Sequence, residues 1–115
     1  MMKKTIAMTL LGLAAQSASA QPAQPDISTL ALALERCLAT YAVRLTKTDM
    51  ADEAIYSAAT DGCKQIEAGL TAAVRRDAPG PQGEAALAQW TDRAKPNFMA
   101  LLQRIRSDRA AGGGQ

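Results

Sequence analysis

Two cysteines each occupy the middle of an apolar segment, and their pairing would restrict the chain to folds in which two helices lie side by side. Cys37 and Cys63 lie on separate runs whose apolar residues recur every three or four positions. This spacing is typical of the buried face of an α-helix. The pattern predicts a helical hairpin with a Cys37–Cys63 disulfide. Closing such a loop stabilises a small domain by about 2–4 kcal/mol.

Residues 1–20 show the three zones of a secretory signal. Lys3 and Lys4 precede an apolar run over residues 6–15, and a small-residue stretch ends at Ala20. Cleavage is predicted after Ala20. The apolar run is about half as long as a membrane-spanning helix, so a cleaved signal is favoured over an anchor. We therefore expect a periplasmic or secreted protein with no transmembrane segment after cleavage, in a compartment where disulfides form.

Loss of the predicted signal leaves a neutral chain. Two of the 13 Lys and Arg residues leave with it, so 11 basic and 11 acidic residues remain among 95 residues. A neutral chain with 3% aromatic residues lacks the basic surface of a nucleic-acid-binding protein. No nucleic-acid partner is predicted. The remaining length is enough for one domain.

The first helix is predicted to follow a short leader. Residues 21–26 contain two prolines and have no apolar period, which predicts a flexible segment. Asp26 or Ser28 can cap the first turn of the helix, which is predicted to end near Thr46.

The second helix is predicted from a cap at Thr48 or Asp49 to about residue 77. Gly62 and Gly69 fall inside it, where each costs about 1 kcal/mol relative to alanine. We therefore expect another backbone to approach the helix closely at the glycines. The short connection makes the first two helices antiparallel neighbours, with an irregular turn to align the cysteines.

The third helix is predicted to start near Glu84, after a break at the Pro- and Gly-rich residues 78–83. Its apolar period continues past Pro96, which falls on the outer side. A bend that keeps the register is favoured, while a break at Lys95 stays open. The predicted fold is thus an all-α, small three-helix bundle over residues 27–109. It consists of a disulfide-stapled antiparallel hairpin and a proline-kinked third helix, followed by a disordered tail at 110–115.

No catalytic or metal-binding constellation is recognisable. The chain contains no histidine, which excludes histidine-based triads and histidine zinc ligands. Asp49, Asp52 and Glu53 are interpreted as acids in the first turn of a helix rather than as a catalytic pair. We predict a protein that is not an enzyme and has no cofactor and no metal.

Two surfaces are candidates for contact with a partner. A second apolar line on the first helix consists of Leu32, Ala39 and Val43. Burial beneath the third helix is favoured for it, but an uncovered line would be a ridge for a partner or a dimer. The end of the third helix carries three arginines, which are also favoured at helix ends for local reasons. They are Arg104, Arg106 and Arg109.

The leading functional prediction is a non-enzymatic interaction or accessory protein of the cell envelope, with an unidentified protein partner. The alternative is an anionic-lipid or envelope-surface-binding protein that makes peripheral membrane contact through the helix over residues 84–109.

Overall fold

A computed structural model of the chain describes residues 25–112, which form four α-helices. These are α1 (Ile27–Leu45), α2 (Asp52–Gly62), α3 (Lys64–Asp77) and α4 (Pro81–Ala111). The predicted all-α fold is confirmed, but the predicted second helix is divided into α2 and α3. The predicted signal at 1–20, most of the leader and the last three residues of the tail lie outside the described residues.

α1 begins where the sequence predicts because Asp26 caps its first turn. The Asp26 Oδ1 atom accepts a hydrogen bond from the Thr29 N–H at 2.8 Å. This bond satisfies a backbone donor that has no partner inside the helix. Because it stabilises the carboxylate, it lowers the pKa of Asp26 from its ordinary value of 3.8. Thr46 is the cap residue at the other end, as predicted.

The Asp26 cap predicts how stability falls in acid. Because the pKa of Asp26 is lower in the folded chain, its contribution is complete above the unfolded pKa. It is lost as the pH falls through the folded pKa. Asp26→Asn keeps an acceptor that does not titrate, so this variant should lose less stability than the wild type between about pH 5 and pH 2. Urea unfolding at several pH values measures the difference. An equal loss of unfolding free energy in acid for the wild type and Asp26→Asn would contradict the cap.

α2 begins later than predicted, because the proposed cap residues are used differently. The cap position is Ala51, which makes no side-chain cap bond. The Thr48 hydroxyl donates to the Leu45 carbonyl oxygen at 2.6 Å and accepts from the Met50 N–H at 3.2 Å. Thr48 therefore closes the turn after α1, and the prediction of a cap at Thr48 or Asp49 is wrong. The longer connection is the irregular turn that alignment of the cysteines requires.

A one-residue interruption at Cys63 separates α2 from α3. Cys63 has φ −108° and ψ 11°, away from helical values, and follows directly on Gly62. The helical hydrogen bonds continue across the interruption. The Cys63 N–H bonds the Ala59 oxygen at 3.0 Å, and the Glu67 N–H bonds the Cys63 oxygen at 3.1 Å. The predicted helix is thus distorted at the disulfide rather than replaced by a loop.

The surroundings of Gly62 and Gly69 differ. A methyl group at Gly62 would overlap the phenol of Tyr41, whose Cε2 atom lies 2.7 Å from the position of the added carbon. At Gly69 the nearest atom is Leu30 Cδ2 at 3.9 Å, an ordinary contact distance. The predicted close approach therefore exists only at Gly62, and a side chain makes it instead of a backbone.

This difference predicts unequal effects of the same substitution. Gly62→Ala should be about 1–3 kcal/mol less stable than helix propensity alone would make it, because the phenol of Tyr41, which packs against both core clusters, must shift. Gly69→Ala should stabilise the protein by about 0.5–1 kcal/mol, because alanine is the better helix former and has room. Urea denaturation followed by circular dichroism measures both, and a Gly62→Ala protein as stable as the Gly69→Ala protein would contradict the contact.

α4 begins at Pro81, three residues before the predicted start at Glu84. Gly80 has φ 86°, a conformation that side chains other than glycine rarely adopt, and so makes the turn that precedes the helix. Pro81 then takes the first helical position, where its missing N–H leaves no bond unmade. The proline therefore starts α4 instead of separating it from the preceding helix.

Pro96 lies inside α4 without breaking it. The helix has 31 residues and continues to Ala111, so the alternative of a break at Lys95 is wrong. Pro96 is exposed, as its position in the apolar period predicts. Ala110 and Ala111, predicted as the beginning of a disordered tail, are helical.

Two clusters of buried side chains form the core. One joins α1, α2 and α4, and consists of Ala42, Ile55, Ala59, Phe98 and Leu102. The other surrounds the disulfide between α1 and α3, and consists of Leu34, Cys63 and Leu70. Leu38 and Tyr41 of α1 pack against both clusters. α1 is therefore the helix that holds the two halves of the core together.

Candidate functional site

The predicted disulfide between Cys37 and Cys63 is confirmed. It joins the middle of α1 to the interruption between α2 and α3, with the two Cα atoms 6.0 Å apart. Cys63 is only 2% exposed. Burial of this sulfur in the core supports a structural rather than a redox-active pair.

Arg106 and Arg109 fasten the end of α4 to the neighbouring helices. Arg106 Nη2 lies 2.7 Å from Asp52 Oδ1 at the start of α2. Arg109 donates through Nη1 to Thr46 Oγ1 at 2.6 Å and through Nη2 to the Val43 carbonyl oxygen at 2.8 Å. Two of the three arginines predicted as a partner surface are thus used to hold the fold together.

The acids at the start of α2 are paired with bases of α4. Asp52 and Glu53 lie in the first turn, as predicted, whereas Asp49, which was predicted with them, lies in the turn before α2. Glu53 Oε1 lies 2.7 Å from Lys95 Nζ, which also lies 5.8 Å from the centre of the Tyr56 ring. These contacts position α4 against α2, and none of them brings two carboxylates together for acid–base chemistry.

The start of α4 is held by an ion pair with the end of α3. Arg75 donates through Nε to Glu84 Oε2 at 2.8 Å and through Nη2 to Oε1 at 3.3 Å. The pair lowers the pKa of Glu84 and raises the pKa of Arg75. Both side chains are more than half exposed, so the pair contributes little to stability.

An open groove of about 620 Å³ runs between α1 and α4. α2 and α3 contribute no residue to its lining. The apolar part of the lining is Leu38, Ala39, Ala86, Trp90, Ala94, Phe98 and Leu101. The polar part is Glu35, Arg93, Asn97 and Arg104. The groove thus combines apolar side chains with three charged ones.

The three charged groups of the groove are unpaired. Within residues 25–112, Glu35, Arg93 and Arg104 make no ion pair and no side-chain hydrogen bond. The other bases of α4 described above, Lys95, Arg106 and Arg109, are all engaged. Arg104 is therefore the one member of the predicted arginine patch that the fold leaves available for a partner.

The second apolar line of α1 stays largely uncovered. Leu32 is 48% exposed and Val43 is 44% exposed, so the favoured prediction of burial beneath the third helix is wrong for these two residues. Ala39 lies between them, is half-buried and lines the groove. The line is an apolar ridge beside the groove.

The sequence does not single out Glu35, Arg93 or Asn97. A signal for the last two was present, because Arg93, Asn97 and Arg104 follow one another at steps of four and seven and so share one line along a helix. The mixed polar and apolar composition of this line hides it from a search for apolar periods.

Residues 25–112 contain no group of three or more Cys, Asp or Glu side chains that could hold a metal ion. In the same region, no helix combines the length and the apolar character needed to span a bilayer. A small cavity of about 30 Å³ beside Cys63 has room for one water molecule. No protein-family model, curated protein or solved structure matches the chain.

Proposed function

We propose that this chain is a small, exported, non-enzymatic interaction protein of the cell envelope, which binds a protein partner through one face. This face, which we call the α1–α4 face, consists of the groove together with Leu32 and Val43. The observation that carries the proposal is that the charged side chains of this face have no ion-pair partner among the described residues. Glu35, Arg93 and Arg104 are unpaired within the described residues, although the groove that they line is largely apolar.

The physical basis is the cost of leaving such a face in water. Leu32 and Val43 are exposed aliphatic side chains on the same line of α1 as Ala39, which lines the groove, and exposed apolar patches mark contact sites in soluble proteins. Arginine and tryptophan are enriched where binding energy concentrates, and Trp90, Arg93 and Arg104 all line the groove. Partner binding would remove the apolar surface from water and pair the charges.

Export is supported by two independent features. The first twenty residues have the charge, apolar run and small-residue end of a cleaved signal. The disulfide between Cys37 and Cys63 fits an oxidising compartment. Together they support a periplasmic or secreted location.

The alternative, binding to an anionic lipid surface through α4, has less support. Phe98 and Leu102 are buried in the core, so they are not available to enter a membrane. Arg106 and Arg109 are engaged with α1, α2 and the turn between them. A lipid surface would meet the outer side of α4, which lacks the apolar stripe that surface binding needs.

Site-specific photo-crosslinking in the producing cell tests the function. A photoreactive residue is placed at Leu32 or at Val43, and a matched control is placed at Gln65, which is exposed on α3. We expect covalent adducts with a protein from the first two positions and none from the third. Absence of adducts from both face positions would overturn the proposal.

The same cells test export. Fractionation should recover the protein outside the cytoplasm, with its mass reduced by residues 1–20 and with both cysteines oxidised. A full-length product in the cytoplasm with two free thiols would contradict this part of the proposal.

A further inference from the structure

We infer that the partner on the α1–α4 face is a second copy of the same chain, related to the first by a two-fold axis close to Ala39. This inference rests on the proposed function of that face. A two-fold contact buries the same surface on both copies. The ridge of Leu32 and Val43 can therefore pack antiparallel against its own image, because both side chains are exposed on one line of α1.

The direction of the helices decides which charges meet. α1 and α4 run parallel, since Arg109 near the end of α4 bonds Val43 and Thr46 at the end of α1. Arg104 lies five residues before Arg109, about 7.5 Å back along α4. It is therefore level with the middle of α1, close to Ala39, with which it shares the groove.

A two-fold axis near Ala39 brings complementary groups together. Leu32 and Val43 are separated by about 16 Å along α1, and an axis midway between them, about 2 Å before the level of Ala39, sets Leu32 of each copy beside Val43 of the other. Glu35 lies about 4 Å before this axis, which carries it the same distance beyond, to the level of Thr40 on the other copy. That position is within the reach of the Arg104 side chain.

Arg93 distinguishes this arrangement from a general attraction to acids. It lies eleven residues before Arg104, which places it about 16 Å nearer the start of α4. This is the direction away from the Glu35 of the second copy. The two-fold contact therefore uses Arg104 and leaves Arg93 outside the ion pair. The small side chain of Ala39 allows the two α1 helices to approach at the axis. The neutral charge of residues 21–115 removes long-range repulsion between the copies.

Analytical ultracentrifugation of the oxidised protein comprising residues 21–115 is the first test. We expect a monomer–dimer equilibrium. Leu32→Glu should abolish the dimer without changing the circular dichroism spectrum, because Leu32 is an exposed residue. Lys64→Glu is the matched control on α3 and should leave the dimer intact. A wild-type protein that stays monomeric at about 1 mM, where only very weak association escapes detection, would overturn the inference.

A charge swap tests the pairing itself. Glu35→Arg or Arg104→Glu alone should raise the dimer Kd about tenfold or more, because each creates two repulsive pairs. Both substitutions in one chain should restore the wild-type Kd, while Arg93→Glu should leave it unchanged. A dimer Kd that neither single substitution changes would overturn the two-fold arrangement. A dimer Kd that Arg93→Glu and Arg104→Glu raise equally would also overturn it.

The two proposals fail in different ways. A monomeric protein whose Leu32 position still crosslinks to a different protein would overturn the dimer and keep the proposed function. A protein with neither a dimer nor an adduct would overturn both.

Discussion

Replacing Phe98 by alanine should lower the free energy of unfolding by about 3–5 kcal/mol. Phe98 is 4% exposed and belongs to the buried cluster that joins α1, α2 and α4. Its ring centre lies 5.4 Å from that of Tyr56 on α2. Truncation would remove the ring contact and leave a cavity between α2 and α4 that the helices can fill only in part. Chemical denaturation followed by circular dichroism gives the change.

Leu32→Ala is the matched control for this loss. Leu32 is also a large apolar residue on a helix, but it belongs to the uncovered ridge. Its truncation should change the free energy of unfolding by less than about 0.5 kcal/mol, measured at a concentration at which the protein is monomeric. Equal losses in the two variants would contradict the assignment of Phe98 to the core and Leu32 to the surface.

Removing the disulfide by Cys37→Ala together with Cys63→Ala should lower the free energy of unfolding by about 2–4 kcal/mol. The bridge spans 26 positions of sequence, so it removes many conformations from the unfolded chain. Domains of this size are stable by only about 5–15 kcal/mol. Without the bridge, the protein should therefore unfold at a much lower concentration of urea.

Reduction of the wild-type protein provides the comparison. A reductant should shift the wild-type urea midpoint in the same direction as the double substitution, and it should leave the double variant unchanged. A wild-type midpoint that is insensitive to complete reduction would show that the bridge does not constrain the unfolded chain as expected.

The disulfide and the helical class could be predicted because the information is local. Cys37 and Cys63 lie on periodic stripes, and their oxidation needs only that the two stripes face each other. Asp26 was identifiable as a cap for the same reason, since its bond to Thr29 spans three residues. The helical stripes and the cap are decided by residues within a few helical turns, and the pairing of the cysteines follows because the chain contains only two.

The interruption at Cys63 could not be derived from periodicity alone. The apolar stripe continues through it, and the helical hydrogen bonds on either side are kept. Gly62 was the available signal, but a glycine inside a helix predicts a close approach as readily as a distortion. The structure has both, because Gly62 lies against Tyr41 immediately before the interruption.

The candidate site depended on long-range contacts that no local pattern contains. Arg106 meets Asp52 across 54 positions, and Arg109 meets Val43 across 66. Arg104 has the same residue type and nearly the same position in sequence, yet it lines the groove instead. Which arginines are engaged follows from the parallel placement of α1 and α4, and this placement is a property of the whole fold.

The contacts of Arg106 and Arg109 also determine how an anionic ligand at that end would act on the protein. A phosphate that took both terminal nitrogens of Arg109 would compete with the bonds to Thr46 and Val43. Binding of the phosphate and docking of the last turns of α4 against α1 would then oppose each other, because the two events are thermodynamically linked. An anion that occupied these guanidinium groups would release the C-terminal end of α4, whereas an ordinary ligand tightens the structure to which it binds.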